Sequence, residues 1–129
     1  MHKWDDTTPI YLQLRSTVVQ RILKGSLIEG EAVPSVRQVS AAEKINPLTV
    51  SKAYQMLVEE NLLEKRRGLG MFVQPGAQAK ALEQERVVFL NQEWPRVLTR
   101  IESLGLSADN LLQGGRAEEL RSEEKGEQK

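Results

Sequence analysis

The chain has 129 residues, with 18 Lys+Arg balanced by 18 Asp+Glu, one His and no Cys. That length fits one small domain with an appendage, while a single histidine, His2, and the absence of thiols exclude zinc chemistry, thiol catalysis and a disulfide framework. No apolar run approaches the roughly 20 residues of a membrane span, and the start MHKWDDTTP has no signal-like apolar stretch, so the expectation is a cytoplasmic protein with no cofactor and no membrane partner.

The zero net charge hides a small asymmetry. Residues 1 to 76 carry 10 Lys+Arg against 8 Asp+Glu, and residues 77 to 129 carry 8 against 10. So slight a bias makes any case for a polyanionic partner rest on individually placed residues. In chain order, Thr7 and Thr8 stand ready to cap a helix whose first position suits Pro9. Ile10, Leu14, Val18 and Ile22 then recur at helical spacing and Gly25 supplies a left-handed stop, which predicts helix one over 9–24. After a loop containing Gly30, Ser35 precedes Gln38 by three residues, the reciprocal capping pattern, and predicts helix two over 36–43. Asn46 and Pro47 open helix three, 47–60, with the apolar stripe Val50, Ala53, Tyr54, Leu57 and Val58, and Asn61 stands at a left-handed terminus.

The period then changes. Leu62–Arg67 and Met71–Gln74 flank Gly68, Leu69 and Gly70, which reads as a hairpin with a glycine turn. Two short helices in tandem followed by a hairpin make a winged helix-turn-helix, closed by Pro75 and Gly76. Beyond it Val87, Leu90, Trp94, Val97, Ile101 and Leu104 are spaced 3, 4, 3, 4, 3, the seam of a helix that packs along another helix. Gly105 ends that helix, and Ser107 caps a short one that stops at Gly114 and Gly115. Residues 116–129 hold nine charged side chains and almost nothing apolar, the composition of a disordered tail. The expected fold is mostly α with a small β-hairpin: a winged helix-turn-helix domain over 1–76, a helical dimerisation domain over 77–115, and the tail.

From Pro9 to Val73 the chain resembles the DNA-binding domain of the GntR family of bacterial transcription regulators. The resemblance lies in Pro9, Tyr11 and Gln13; in Val33 Pro34 Ser35 Val36 Arg37; in the run Asn46 to Tyr54; and in Gly68 Leu69 Gly70 Met71 Phe72 Val73. It covers about half the chain. The short helical remainder, with Leu104 Gly105 Leu106 Ser107, is similar to the small-domain YtrA subfamily. Departures are Asn61 where the family usually has glycine, and Pro95, which removes a backbone hydrogen bond from the long helix.

The resemblance implies double-stranded DNA as partner, and the residue chemistry agrees. Arg37, in the first turn of helix two beside the Ser35 cap, is suited to gripping a phosphate or reaching a guanine edge; the plain alternative is a surface arginine paired with an acid. Helix three offers a non-core face of Leu48, Thr49, Ser51, Lys52 and Gln55 to a major groove, against an ordinary solvated face. In the wing, Lys65, Arg66 and Arg67 run into Gly68 and Gly70, an arrangement that suits a minor groove or simply guards a sheet edge with charge. The expected DNA contacts are therefore Ser35, Arg37, Leu48, Thr49, Ser51, Lys52, Arg66, Arg67, Gly68 and Gly70, and the expected dimer seam is the set from Val87 to Leu104, whose alternative is to fold back on its own domain.

The leading expectation is a homodimeric, sequence-specific transcription regulator, a repressor at a palindromic operator. A winged-helix protein-interaction module without DNA affinity is the competing class. An enzyme is the weakest, because the clustered carboxylates Glu59, Glu60 and Glu64 have no nucleophile or metal partner at a useful spacing. Nothing in the residues specifies a small-molecule effector or an operator sequence.

Overall fold

The computed structural model describes residues 4 to 114, which form two compact units divided between Glu85 and Arg86. The elements are α1 (Ile10–Lys24), α2 (Val36–Glu43), α3 (Pro47–Glu59), β1 (Leu63–Arg66), β2 (Gly70–Val73), α4 (Ala77–Val88), a π-helical stretch (Phe89–Glu93), α5 (Trp94–Ser103) and α6 (Ala108–Gly114). The mostly helical chain with one antiparallel hairpin is the expected fold class.

The start of α1 differs from expectation. Pro9 is the residue before the helix, not its first member, and no side chain caps the helix there. The cause lies upstream: the Asp5 carboxylate accepts from the Thr7 N–H and hydroxyl, both at 2.8 Å, and from the Thr8 N–H at 3.1 Å. These donors, the Thr7 hydroxyl foremost, hold the Asp5 carboxyl below its ordinary value. Gln13 then fastens the turn to the helix, donating from Nε2 to the carbonyls of Asp5 (2.9 Å) and Thr8 (2.7 Å) and accepting from the Asp5 N–H.

The two tandem helices follow their caps. Ser35 Oγ accepts from the Gln38 N–H at 3.0 Å while Gln38 Oε1 accepts from the Ser35 N–H at 2.8 Å, and Asn46 Oδ1 accepts from the Leu48 N–H at 2.9 Å. Lys44 makes the turn between them in the left-handed region, φ 56°, and the Ser40 hydroxyl closes it onto the Ile45 carbonyl at 2.5 Å. Asn61 adopts φ 62° at the end of α3, so asparagine takes the left-handed stop without glycine.

The hairpin pairs Leu63 with Val73 and Arg66 with Gly70. A further pairing was not legible in the sequence: Val33 N–H donates to the Met71 carbonyl (2.9 Å) and Val73 N–H to the Glu31 carbonyl (3.0 Å), so residues 31–33 run along the free edge of β2. The core lies between α1 (Leu14, Val18, Val19, Ile22), α3 (Val50, Ala53, Tyr54, Leu57) and the hairpin (Leu63, Val73), and Ala77 and Ala81 of α4 join it. The first unit therefore continues past the Pro75–Gly76 turn to Glu85. Glu29 secures that continuation, its carboxylate accepting from the N–H groups of Gly76 (2.7 Å) and Gln78 (3.1 Å), which lower its pKa.

In the second unit the long seam helix is not uniformly α-helical. Pro95 has no N–H to donate backwards, and the backbone widens ahead of it: the Trp94 N–H reaches the Phe89 carbonyl. A π turn takes more residues than an α turn, so residues beyond Glu93 are rotated from the phase that the 3–4 spacing implies. Asn110 N–H donates to Ser107 Oγ at 3.3 Å, capping α6 as expected. Gly115 and the tail 116–129 lie outside the described residues.

Tyr54 generates a pH prediction. Its hydroxyl donates to the Pro34 carbonyl at 2.6 Å, and burial, opposed by the Arg21 charge, pushes its pKa up to about 12. Because the folded value exceeds the unfolded one, the stability due to the neutral hydroxyl is complete below pH 10, declines between 10 and about 12, and is gone above. Denaturant midpoints measured on both sides of pH 10 should fall more steeply for the parent than for Tyr54→Phe, which itself costs about 1 kcal/mol at neutral pH.

Candidate nucleic-acid interface

Three elements of the first unit meet around one open cleft. Ser35 and Val36 from the start of α2, Ser51, Tyr54 and Gln55 from α3, and Lys65, Gly70 and Met71 from the wing line it. The Tyr54–Pro34 hydrogen bond ties the α2 cap to α3, and the Val33–Met71 hydrogen bond ties the residue before Pro34 to the wing. The structure thus brings together Ser35, Ser51 and Gly70 from the expected set. It adds Lys65 and Gln55, which sequence reasoning noted without selecting; their signal was position, since strand alternation places Lys65 on the same face as Leu63.

The donors at this cleft are available. Ser35 Oγ accepts the Gln38 N–H, which leaves its own hydroxyl proton to donate. The N–H groups of Val36 and Arg37 belong to a helical first turn, where no intrahelical acceptor exists. Arg37, Ser51 and Lys52 are exposed, and Leu48 at the start of α3 is 77% exposed. Thr49 is half-buried, so it presents less surface than its neighbours. The Lys52 ammonium lies 4.0 Å from the centre of the Tyr11 ring.

The wing divides its charges by strand alternation. Arg66 lies with Glu64 and Phe72 on the face opposite Lys65, with Nε 2.9 Å from Glu64 Oε1 and its guanidinium carbon 4.2 Å from the Phe72 ring centre. Arg67 is exposed at the start of the turn, and Leu69 at the tip is 72% exposed. Gly68 and Gly70 have φ of 76° and 113°, and a Cβ at either would meet nothing within 4 Å, so backbone conformation and not space calls for glycine there. Among the described residues no group of three or more His, Cys, Asp or Glu converges on a possible metal site, and no helix is long and apolar enough to cross a membrane.

In the second unit the expected seam residues Val87, Leu90, Val97 and Leu104 are 44–61% exposed, Trp94 is half-buried and Ile101 is buried. Phe89, which the seam spacing omitted, is also exposed and stacks on Trp94 at a ring-centre distance of 6.3 Å.

The family model described as "Bacterial regulatory proteins, gntR family" matches residues 10–73. The HTH-type transcriptional repressor YtrA of Bacillus subtilis is 30% identical over 105 residues, covering 81% of this chain and 80% of that protein. The uncharacterised HTH-type regulator YhcF of the same organism is 26% identical over 113 residues, 88% and 92% of the two chains. A GntR family transcriptional regulator from Listeria monocytogenes has the same fold, with a TM-score of 0.71 over 85% of this chain and 95% of its own at 24% identity. A cleft framed by two tandem helices and a wing, on a chain that spans most of such relatives, has one consistent assignment. The chain belongs to the GntR family of DNA-binding transcription regulators, a non-enzyme family, and within it to the small YtrA-like kind.

Proposed function

We propose that the chain is a cytoplasmic, homodimeric repressor that lays α3 in the major groove of a palindromic operator and the wing tip in the adjacent minor groove. The observation that carries this reading is the convergence of Ser35, Ser51, Gln55 and Lys65 on one open cleft, with Arg37 and Lys52 exposed on the same two helices. In this proposal the unit that ends at Glu85 is the reading head and the unit that begins at Arg86 carries the dimer contacts. Ser35, Arg37, Ser51 and Lys52 serve as polar contacts, Leu48 and Thr49 as apolar or short contacts to base edges, and Arg66, Arg67, Gly68 and Gly70 as the wing set. The repressor role is supported by the name of the YtrA relative. Dimerisation is supported by the apolar residues that the second unit leaves exposed, Val87, Leu90, Val97 and Leu104, with half-buried Trp94 and buried Ile101 completing the proposed seam.

The first test is DNA selection from a random pool followed by salt titration of the selected duplex. Affinity should fall steeply with salt, as phosphate neutralisation requires; salt-independent association would reject the interface. On that duplex Arg37→Ala should cost about 1–3 kcal/mol if the guanidinium reads a base edge, or lower the salt slope by about 1 if it neutralises a phosphate.

The wing yields a sharper comparison. Arg66 is already matched by Glu64, whereas Arg67 has no ion-pair partner among the described residues. Arg67→Gln should therefore weaken binding more than Arg66→Gln, and most for A·T-rich flanks, where the narrow minor groove concentrates negative potential. Equal affinities for both flank types in mutant and parent would make Arg67 a solvated edge residue.

For the dimer, Leu90→Glu with Val97→Glu puts charge on exposed seam positions and spares buried Ile101. Sedimentation should show monomers with much weaker operator binding; an unchanged dimer would rule out this seam.

A further inference from the structure

We propose that Tyr11 is a positioning residue for DNA binding, holding the Lys52 ammonium over its ring so that the cation is presented in place at the phosphate backbone. The inference rests on the reading that the exposed face of α3 meets DNA. The two side chains come from different helices: Tyr11 sits in the first turn of α1, half-buried and packed against the core, and Lys52 is exposed on α3, with Nζ 4.0 Å from the ring centre. The base under Tyr11 is firm. The turn before α1 is locked by Asp5 and Gln13, and Leu14 one helical turn on is in the core.

The chemical identity of the partner is what matters. Lysine is a compact charge on a flexible four-carbon stem, and ordering that stem at a phosphate opposes binding. A carboxylate would order it too, but would cancel its charge and have to be displaced by the phosphate. The Tyr11 ring is neutral: it attracts the ammonium through its quadrupole and leaves the full positive charge to release a counterion. The contrast is visible in the same unit, where Arg15 pairs with Glu60 and Arg66 with Glu64, while Lys52 has no carboxylate within ion-pair reach among the described residues. The ring is thus a holder that competes weakly with DNA for the same cation.

A double-mutant cycle on the duplex selected by the parent protein tests this at fixed and varied salt, with a thermal midpoint for every variant. Tyr11→Phe keeps the ring and should bind within about twofold of the parent. Tyr11→Leu removes the quadrupole and should weaken binding about two- to fivefold, with the salt slope unchanged because the charge is still present. Lys52→Met should lower the slope by about 1, and in that background Tyr11→Leu should have no further effect. Equal losses from Tyr11→Leu with and without Lys52, or a Tyr11→Phe loss as large as that of Tyr11→Leu, would overturn the positioning role and leave Tyr11 a packing residue. If Lys52→Met alone changes neither affinity nor slope, the α3 reading itself fails at this position. Tyr11→Met replaces Tyr11→Leu in the cycle should the latter lower the midpoint markedly.

Discussion

Val33, Pro34 and Ser35 carry the geometry on which the interface depends. Val33 precedes a proline and is therefore restricted to extended backbone, which lets its N–H meet the Met71 carbonyl of the wing. Pro34 has no N–H to satisfy, and its carbonyl takes the hydroxyl of Tyr54 from α3. The Ser35 N–H goes to Gln38. Every N–H of the three residues is thus accounted for, and each bond leads to a different element: wing, α3 and α2. Loss of the Tyr54 bond would free the α2 cap from α3, and loss of the Val33 bond would free it from the wing. The relative placement of the three parts that line the cleft is set here.

How much of this was legible follows from the range of the interactions. The capping box, the Asn46 cap with Pro47, the Gly25 stop and the Asn61 left-handed turn depend on residues within four positions, and the structure has them all. Ser35, Ser51 and Gly70 were legible as site candidates because tandem helices and a hairpin leave few ways to arrange them. The third extended segment at 31–33 was not legible, because its partners lie forty residues away on β2 and neither stretch alternates long enough to announce a strand. Nor was the Asp5–Gln13 clasp, which overrode the simpler expectation that a threonine caps α1: a carboxylate collecting three local donors leaves Thr7 already engaged. Pro95 was noticed as a disturbance, but its accommodation by a π stretch depends on how the surrounding helix absorbs one missing donor.

Zero net charge is reconciled with a polyanionic partner by where the pairs form. Among the described residues Arg15 pairs with Glu60 and Arg66 with Glu64, and Arg37, Lys52, Lys65 and Arg67 are not in ion pairs. The more exposed Arg66–Glu64 pair contributes little to stability, so its main electrostatic consequence is local: Glu64 offsets the arginine on the wing face turned away from the cleft, and Lys65 on the cleft face is left at full charge. Within a Debye length of about 8 Å at physiological salt, a DNA backbone would sense that local arrangement and not the sum over the chain.

The second unit poses the opposite problem, too little burial. Phe89, Leu90, Val97 and Leu104 are each more than two-fifths exposed, and Ile101 is the one buried hydrophobic residue of this unit among the described residues. Rotation through the π stretch distributes these residues around the helix beyond a narrow 3–4 seam, so covering them requires a surface broader than one facing helix of ideal phase. In the proposed dimer a second copy would meet that requirement, because a twofold contact presents the same apolar face from both sides. Pro95 would then bear on partner fit, because the backbone opens ahead of it into the π stretch across which Phe89 stacks on Trp94.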